Sequence, residues 1–386
     1  VATIDRGDNH NVKIYFYYKL DRGYYESAYA TWKREGGQFA THLLRTNHAF
    51  YAWVGEFERL NCNVTFDPRS SFLLPQTVRY HLPLSLAQLL RGALWVTKFD
   101  PWLLQRDLIR RIETLKPDVA FFYLGSSVWE STLRELKRRG VKLVQMCDLP
   151  ATTMLARDRV NLPYFDLIFV PANLDAGLRA AGARGRMEYV PLGFAPEVHR
   201  PLQLTPDEHQ QYQSDVCFIG ALDKQFHSQR RQWVEYAIEQ GVHLKIWGGY
   251  RHQYLDSPIL RHWHGQIWGE AQVKALCAAK IGLNFHVDHQ PGELDRGLNI
   301  RAFELAACGV FQLLQRVPGV TEFFEEGKEI VCFDSREEMI DKIRYYLAHD
   351  EERQRIAAAA HARALREHTW AQRIERMVML LREFCQ

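Results

Sequence analysis

The chain has 386 residues, 47% hydrophobic and 25% charged, enough for two buried cores, which excludes a peptide, a fibre or a disordered tail. Its 49 basic and 46 acidic side chains leave a formal charge of +3, too balanced for the broad positive field of a histone-like or architectural DNA-binding protein. The strongest apolar run, Val119 to Leu124, falls far short of the ~18 residues that cross a bilayer, and Val1 to Asn11 lacks the apolar core of an export signal, so a cytoplasmic protein without an integral membrane segment is predicted.

Short β-rich runs alternate with amphipathic stretches, the pattern of a parallel sheet covered by helices on both faces. Val12 to Lys19 is the first strand; a Tyr-rich loop and a helix around His48 to Leu60 follow, then a strand at Cys62 to Phe66. A long helical region through Thr114 leads to the strand Val119 to Leu124 and a helix from about Ser127 to Arg139, stopped by Gly140. Strands at Val141 to Met146 and Leu167 to Val170, a helix near Asn173 to Ala181 and a strand at Met187 to Val190 complete a Rossmann-like half. Residues 191 to 214 change character, with Pro191, Pro196, Pro201 and Pro206 in a polar stretch that reads as an interdomain connector. A second series starts at Val216 to Gly220, with strands at His243 to Trp247 and Ile281 to Phe285. Helical patterns at Glu337 to Ala348, Glu351 to Arg366 and Trp370 to Phe384 close the chain, and Ile374, Met377, Val378, Leu381 and Phe384 line one apolar stripe of the last. This organisation divides into an N-terminal domain (1–195), a connector (196–214), a C-terminal domain (215–369) and a terminal helix (370–386) predicted to pack back on the N-terminal domain.

The most informative stretch runs from Glu293 to Gly309. Gly297 relaxes the backbone, Asn299 is placed to cap a helix, Ala306 and Ala307 allow close helix packing, and Gly309 ends it. The first-turn N–H groups of such a helix have no intrahelical partner and carry the positive end of the macrodipole, so a diphosphate gains hydrogen bonds and Coulomb energy there. Arg301 supplements that charge. Glu304, three residues on and near the same face, either accepts the hydroxyls of a ribose or forms an ordinary Arg–Glu pair. The preceding strand ends at Asn284-Phe285, and crevices of open parallel sheets form at such carboxyl ends.

Asn299-x-Arg301-x-Phe303-Glu304-x-x-Ala307-x-Gly309 resembles the donor-site signature of the CgeB-like spore-protein glycosyltransferases, a GT-B group. Ile246-Trp247-Gly248, Lys280 to Asn284, Pro318-Gly319, Gly327 to Val331 and Tyr345-Tyr346-Leu347 extend the resemblance over about residues 215 to 370, and Pro191 to Pro201 resembles the family's connector. The resemblance implies an α/β, GT-B fold, two Rossmann-like domains facing a central cleft with C-terminal helices, and transfer of a sugar from a nucleotide-sugar donor. It implies that Glu304 holds the ribose, that Asn299, Ile300 and Arg301 surround the diphosphate, and that Gly220 lets backbone approach phosphate. Trp247 joins the donor lining; Lys224, Arg230 and Arg231 are cationic candidates; Gln266 and Ile267 fall where related enzymes read the nucleobase. No obligatory cofactor is implied beyond the nucleotide sugar as co-substrate, a UDP-sugar first, a GDP- or dTDP-sugar otherwise. The acceptor, whether glycan, protein, small molecule or nucleic acid, is undetermined; a noncatalytic nucleotide-sugar-binding or spore- or surface-assembly protein and a DNA-modifying glycosyltransferase are the alternatives.

Two acidic residues separated by seven positions mark many retaining GT-B enzymes; here the position eight before Glu304 is Arg296, with Glu293 and Asp295 nearby, so the pattern selects neither stereochemical outcome. An inverting route needs a base, for which Asp21, Glu26 and Asp148 follow N-terminal strands; Tyr24, Tyr25, Tyr29 and Trp32 read equally as an acceptor platform or as helix packing. His286-Val-Asp288-His289 reads as polar lining facing the donor, because no third and fourth metal ligand follows at convincing spacing. The seven cysteines, 62, 147, 217, 277, 308, 332 and 385, contain no Cys-x-x-Cys pair and read as reduced thiols. No P-loop, esterase elbow or complete dinucleotide fingerprint is present.

Overall fold

The computed structural model describes residues 11–19, 34, 48–69, 99–123, 128–225, 227–287, 292 and 295–386. Two all-parallel sheets organise them. The first contains β1 (Lys13–Lys19), β2 (Asn63–Arg69), β3 (Val119–Tyr123), β4 (Lys142–Met146), β5 (Leu167–Val170) and β6 (Arg186–Tyr189) in the order β2-β1-β3-β4-β5-β6. Its central strands are nearly continuous apolar runs, VAFFY in β3 and LIFV in β5, because helices cover both faces and leave no polar side. Those helices are α1 (His48–Arg59), α2 (Phe99–Leu115), α3 (Glu130–Arg138), the single turn α4 (Ala156–Arg159) and α5 (Asp175–Ala180).

The segment read as a connector is not wholly irregular. Residues 206–212 form α6 (Pro206–Tyr212), opened by a capping box in which Glu208 N donates to Thr205 Oγ1 at 3.3 Å and Thr205 N donates to Glu208 Oε2 at 2.9 Å. Thr-Pro-x-Glu is a helix-start signal that the prolines around it obscured.

The second sheet is β7 (Ser214–Ile219), β8 (Leu244–Trp247), β9 (Ala279–Asn284), β10 (Phe311–Gln315) and β11 (Val331–Phe333), ordered β11-β10-β9-β7-β8. Between its strands lie α7 (Ser228–Glu239), α8 (Glu270–Cys277) and α9 (Ile300–Ala307), followed by α10 (Arg336–Ala348) and α11 (Asp350–Glu367). The strand order turns back at β7, with β8 on one side and β9 on the other, and that reversal opens a crevice beyond the carboxyl ends of β7 and β9.

The last helix, α12 (Trp370–Cys385), leaves the second sheet and lies on the first. Its buried stripe Ile374, Met377, Val378 and Leu381 joins the core beneath α1, where the Trp370 and Trp53 rings meet at 5.0 Å. Arg382 donates to the Leu60 carbonyl at 2.7 Å and Lys142 to that of Phe384 at 3.0 Å. The chain thus crosses between sheets twice, and the crossings run side by side: Phe194 N donates to His368 O at 3.2 Å and Trp370 N to Phe194 O at 2.8 Å.

Candidate functional site

The site is built around the start of α9. Asn299 caps it, its side chain accepting from Ala302 N at 3.2 Å. The same amide donates to Phe285 O at 2.9 Å and exchanges hydrogen bonds with buried Asn284 at 3.0 and 3.1 Å. Asn284 continues to Gln312, and Gln312 Nε2 returns to the α9 carbonyl of Ala302, each at 3.1 Å. Asn299 is therefore committed to fixing the helix on the ends of β9 and β10. The groups left pointing out of the helix start are the backbone N–H groups of Ile300 and Arg301.

One turn on, Glu304 is only 6% exposed. Arg301 Nη1 donates to Glu304 Oε2, and His199 Nε2 lies 3.3 Å from Oε1. His199 is 2% exposed and comes from the connector, where a turn closed by His199 N donating to Ala195 O at 2.8 Å aims its ring at α9. Arg301 Nε is buried and has no hydrogen-bond partner among the described residues, an unmet donor beside the helix N-terminus. His199 escaped the sequence reading because it lies in another segment, and no local spacing links it to Glu304.

The loop ahead of α9 meets the carboxyl edge of the first sheet. Gly297 takes φ +93°, and a Cβ there would lie 2.1 Å from the Pro171 carbonyl oxygen just after β5. Arg296 sits over the Tyr189 ring at 3.8 Å and pairs with Glu322 at 3.0 Å, so the position where an acidic residue marks many retaining enzymes holds a cation tied to the end of β6.

At the carboxyl ends of β7 and β8, Gly220 N donates to Trp247 O at 2.9 Å, and Gly248, at φ +104°, approaches so closely that a Cβ would stand 2.6 Å from the Gly220 oxygen. Trp247 is buried between Tyr212 and His264, with ring centroids 5.9 and 5.2 Å away; its Nε1 has no partner among the described residues. The segment holding Gln266 and Ile267 begins beside β8, where His264 N donates to Ile246 O at 2.8 Å; Gln266 is exposed and Ile267 buried. His286 is buried just beyond β9.

The three cations near α7 differ in their surroundings. Arg231 is buried and engaged by Glu235 at 2.9 Å, Asp256 at 3.1 Å and the Gln253 carbonyl at 2.7 Å, which makes it a tie within the fold. Lys224 is exposed and paired with Asp256. Arg230 is 9% exposed in the first turn of α7, with its guanidinium 5.9 Å from the Phe218 ring at the end of β7.

Asp148 follows β4. Tyr123 at the end of β3 donates to its Oδ2 at 2.6 Å, while Oδ1 is buried without a hydrogen-bond partner among the described residues. Burial pushes the Asp148 carboxyl above the usual aspartate range, against the opposing effect of the Tyr123 bond. Asp21, Glu26, Tyr24, Tyr25, Tyr29, Trp32, Asp288, His289 and Glu293 lie outside the described residues. Among the described residues, no group of three or more His, Cys, Asp or Glu side chains could hold a metal ion, and no helix is long and apolar enough to cross a membrane.

Comparison with known proteins bears on the fold and the family resemblance. Residues 229–379 match a family described as glycosyl transferase-like. The spore protein CgeB of Bacillus subtilis (strain 168) is 24% identical over 274 residues, 66% of this chain and 80% of that protein. Sucrose-phosphate synthase from Thermosynechococcus elongatus superposes with a TM-score of 0.62 at 14% identity, covering 97% of this chain and 99% of that one. Anabaena HepE in complex with UDP-glucose gives 0.60 at 14% identity, covering 97% and 100%. The fold is therefore GT-B, and the chain resembles the CgeB-like glycosyltransferases.

Proposed function

We propose that this chain, a GT-B protein of the glycosyltransferase kind, moves a sugar from a nucleoside-diphosphate sugar to an acceptor, without an obligatory metal. The observation that carries the reading is the buried Arg301–Glu304–His199 cluster at the start of α9, set at the carboxyl ends of β7 and β9. The diphosphate takes the free N–H groups of Ile300 and Arg301 and the Arg301 side chain. Those donors gain most as the anomeric bond breaks and negative charge collects on the leaving group. Arg230 and the Gly220 turn border the same crevice. A carboxylate has acceptor sites for about four hydrogen bonds, so Glu304 takes the ribose hydroxyls while held by Arg301 and His199.

A UDP-sugar is the first donor to test, supported by the HepE complexes with UDP and UDP-glucose. Gln266 and Ile267 border the base. Asp148, its proton affinity raised by burial, removes the acceptor's proton, and Tyr123 orients it. The division into domains 1–195 and 215–369, joined by 196–214 and strapped by 370–386, gives donor and acceptor a lobe each.

Calorimetry with UDP-, GDP- and dTDP-glucose tests the reading. One of them binds the wild-type protein, and Glu304→Ala weakens that binding at least about tenfold with the circular dichroism spectrum unchanged, the loss expected when a charged hydrogen-bond acceptor is removed. Equal donor affinity in the variant rejects the ribose role of Glu304. Full activity in EDTA is expected; activity abolished by EDTA and restored only by Mn²⁺ rejects metal independence.

A further inference from the structure

All seven cysteines are free, and they are not chemically equivalent. Burial pushes the thiols of Cys147, Cys217 and Cys332 up to about 12 and that of Cys62 up to about 11. Cys385 is also raised. Cys277 alone moves the other way, chiefly through the adjacent Cys308 side chain, and Cys308 rises well above its ordinary value in consequence. Thiolate is the nucleophile in sulfur chemistry, so Cys277 is the reactive member and Cys308 its held-back partner.

Geometry makes Cys277 accessible from one side, with Cys308 buried behind it. Cys277 closes α8 and Cys308 is the C-cap of α9, so both lie at the amino ends of β9 and β10, the edge opposite the proposed donor site. The Cys277 Sγ is 4.0 Å from the Cys308 carbonyl oxygen and donates to the Arg200 carbonyl at 3.5 Å. Cys277 also lines a cavity of about 420 Å³, bordered by Lys280, Gly309, Phe311, Arg353 and His361. Cys308 is 3% exposed and does not border it.

We propose that Cys277 and Cys308 form a redox-modification site in which a small disulfide entering the cavity is reduced and the two protein thiols become an intramolecular disulfide. The Cys277 thiolate attacks one sulfur of the oxidant and expels one thiolate, which takes up the proton lost by Cys277. Cys308 then gives up its proton, attacks the Cys277 sulfur and displaces the second small thiol. Two protons and two electrons pass from the protein to the oxidant, which leaves as two thiols. The new bond spans 31 residues, enclosing β9, Asn299, Arg301 and Glu304, and it removes the S–H group that held the Arg200 carbonyl next to His199.

The full chain is incubated with 2-hydroxyethyl disulfide, quenched in acid, alkylated with N-ethylmaleimide in denaturant and digested for mass spectrometry. A linked peptide joining Cys277 to Cys308 is expected, reversed by dithiothreitol. Cys308→Ser stops at a mixed disulfide on Cys277, and Cys277→Ser leaves Cys308 unmodified. The proposal is overturned if wild-type protein retains two alkylated thiols at these positions, accumulates only the mixed disulfide, or links a different pair such as Cys62 and Cys385.

Discussion

Two segments meet on the Glu304 carboxylate, its own helix through Arg301 and the connector through His199, while the Asn299 cap ties the start of that helix to the end of β9. In the proposed donor site His199 is a positioning residue. His199→Ala lowers nucleotide-sugar affinity roughly tenfold by removing the buried imidazole that lies 3.3 Å from the Glu304 carboxylate, and His199→Gln recovers part of it, both read by calorimetry. Affinity unchanged by both substitutions removes His199 from the site. Gly297→Ala is expected to destabilise the protein by about 2–4 kcal/mol in urea unfolding, because a side chain there meets the Pro171 oxygen in a backbone region costly for any L residue. The motif from Asn299 to Glu304 was legible because helix spacing alone brings its members together. His199 was not, because it reaches Glu304 only through the connector's turn, and the engagement of Arg231 with Glu235 and Asp256, which makes it a tie within the fold, shows only in three dimensions.

Helix α9 is a short element held at its start and its middle. Asn299 fixes its start to β9, and Phe303 anchors its middle among Phe323, Phe324 and His368, with centroids 5.3 to 6.1 Å away. Asn299→Ala costs about 1–2 kcal/mol through the lost cap and leaves the Asn284 amide short of a partner. Donor affinity falls with it, because the N–H groups of Ile300 and Arg301 are no longer held in place. Unchanged stability in the variant contradicts the capping role. Long alternating elements declared themselves in the sequence, but β10 and β11 did not: one contains two glutamines and starts just after the α9 stop at Gly309, and the other has three residues. Strands that short carry too few alternations to stand out.

The whole molecule is joined at two adjacent crossings, and a buried histidine sits between them. His368 Nε2 donates to Phe323 O at 3.0 Å while Nδ1 accepts from Arg373 Nη2 at 3.0 Å, an arrangement open only to the neutral ring. Burial, with the Arg373 charge in support, lowers its pKa below the ordinary 6.5. The sign follows from linkage: the unfolded chain binds this proton first, so the contribution is complete above 6.5 and is lost as pH falls through the depressed folded value. Denaturant unfolding between ~pH 7.5 and ~pH 5 therefore shows stability falling on acidification, and His368→Asn flattens that slope. An identical slope in the variant places the proton uptake elsewhere.

Helix α12 has a consequence for how the chain matures. Trp53 is made long before Trp370, yet that later indole packs against it. A nascent chain whose synthesis has halted short of α12 carries α1 with an uncovered apolar face, however complete the strands of the first sheet are. Of the two lobes, the one translated earlier is therefore the one that closes later.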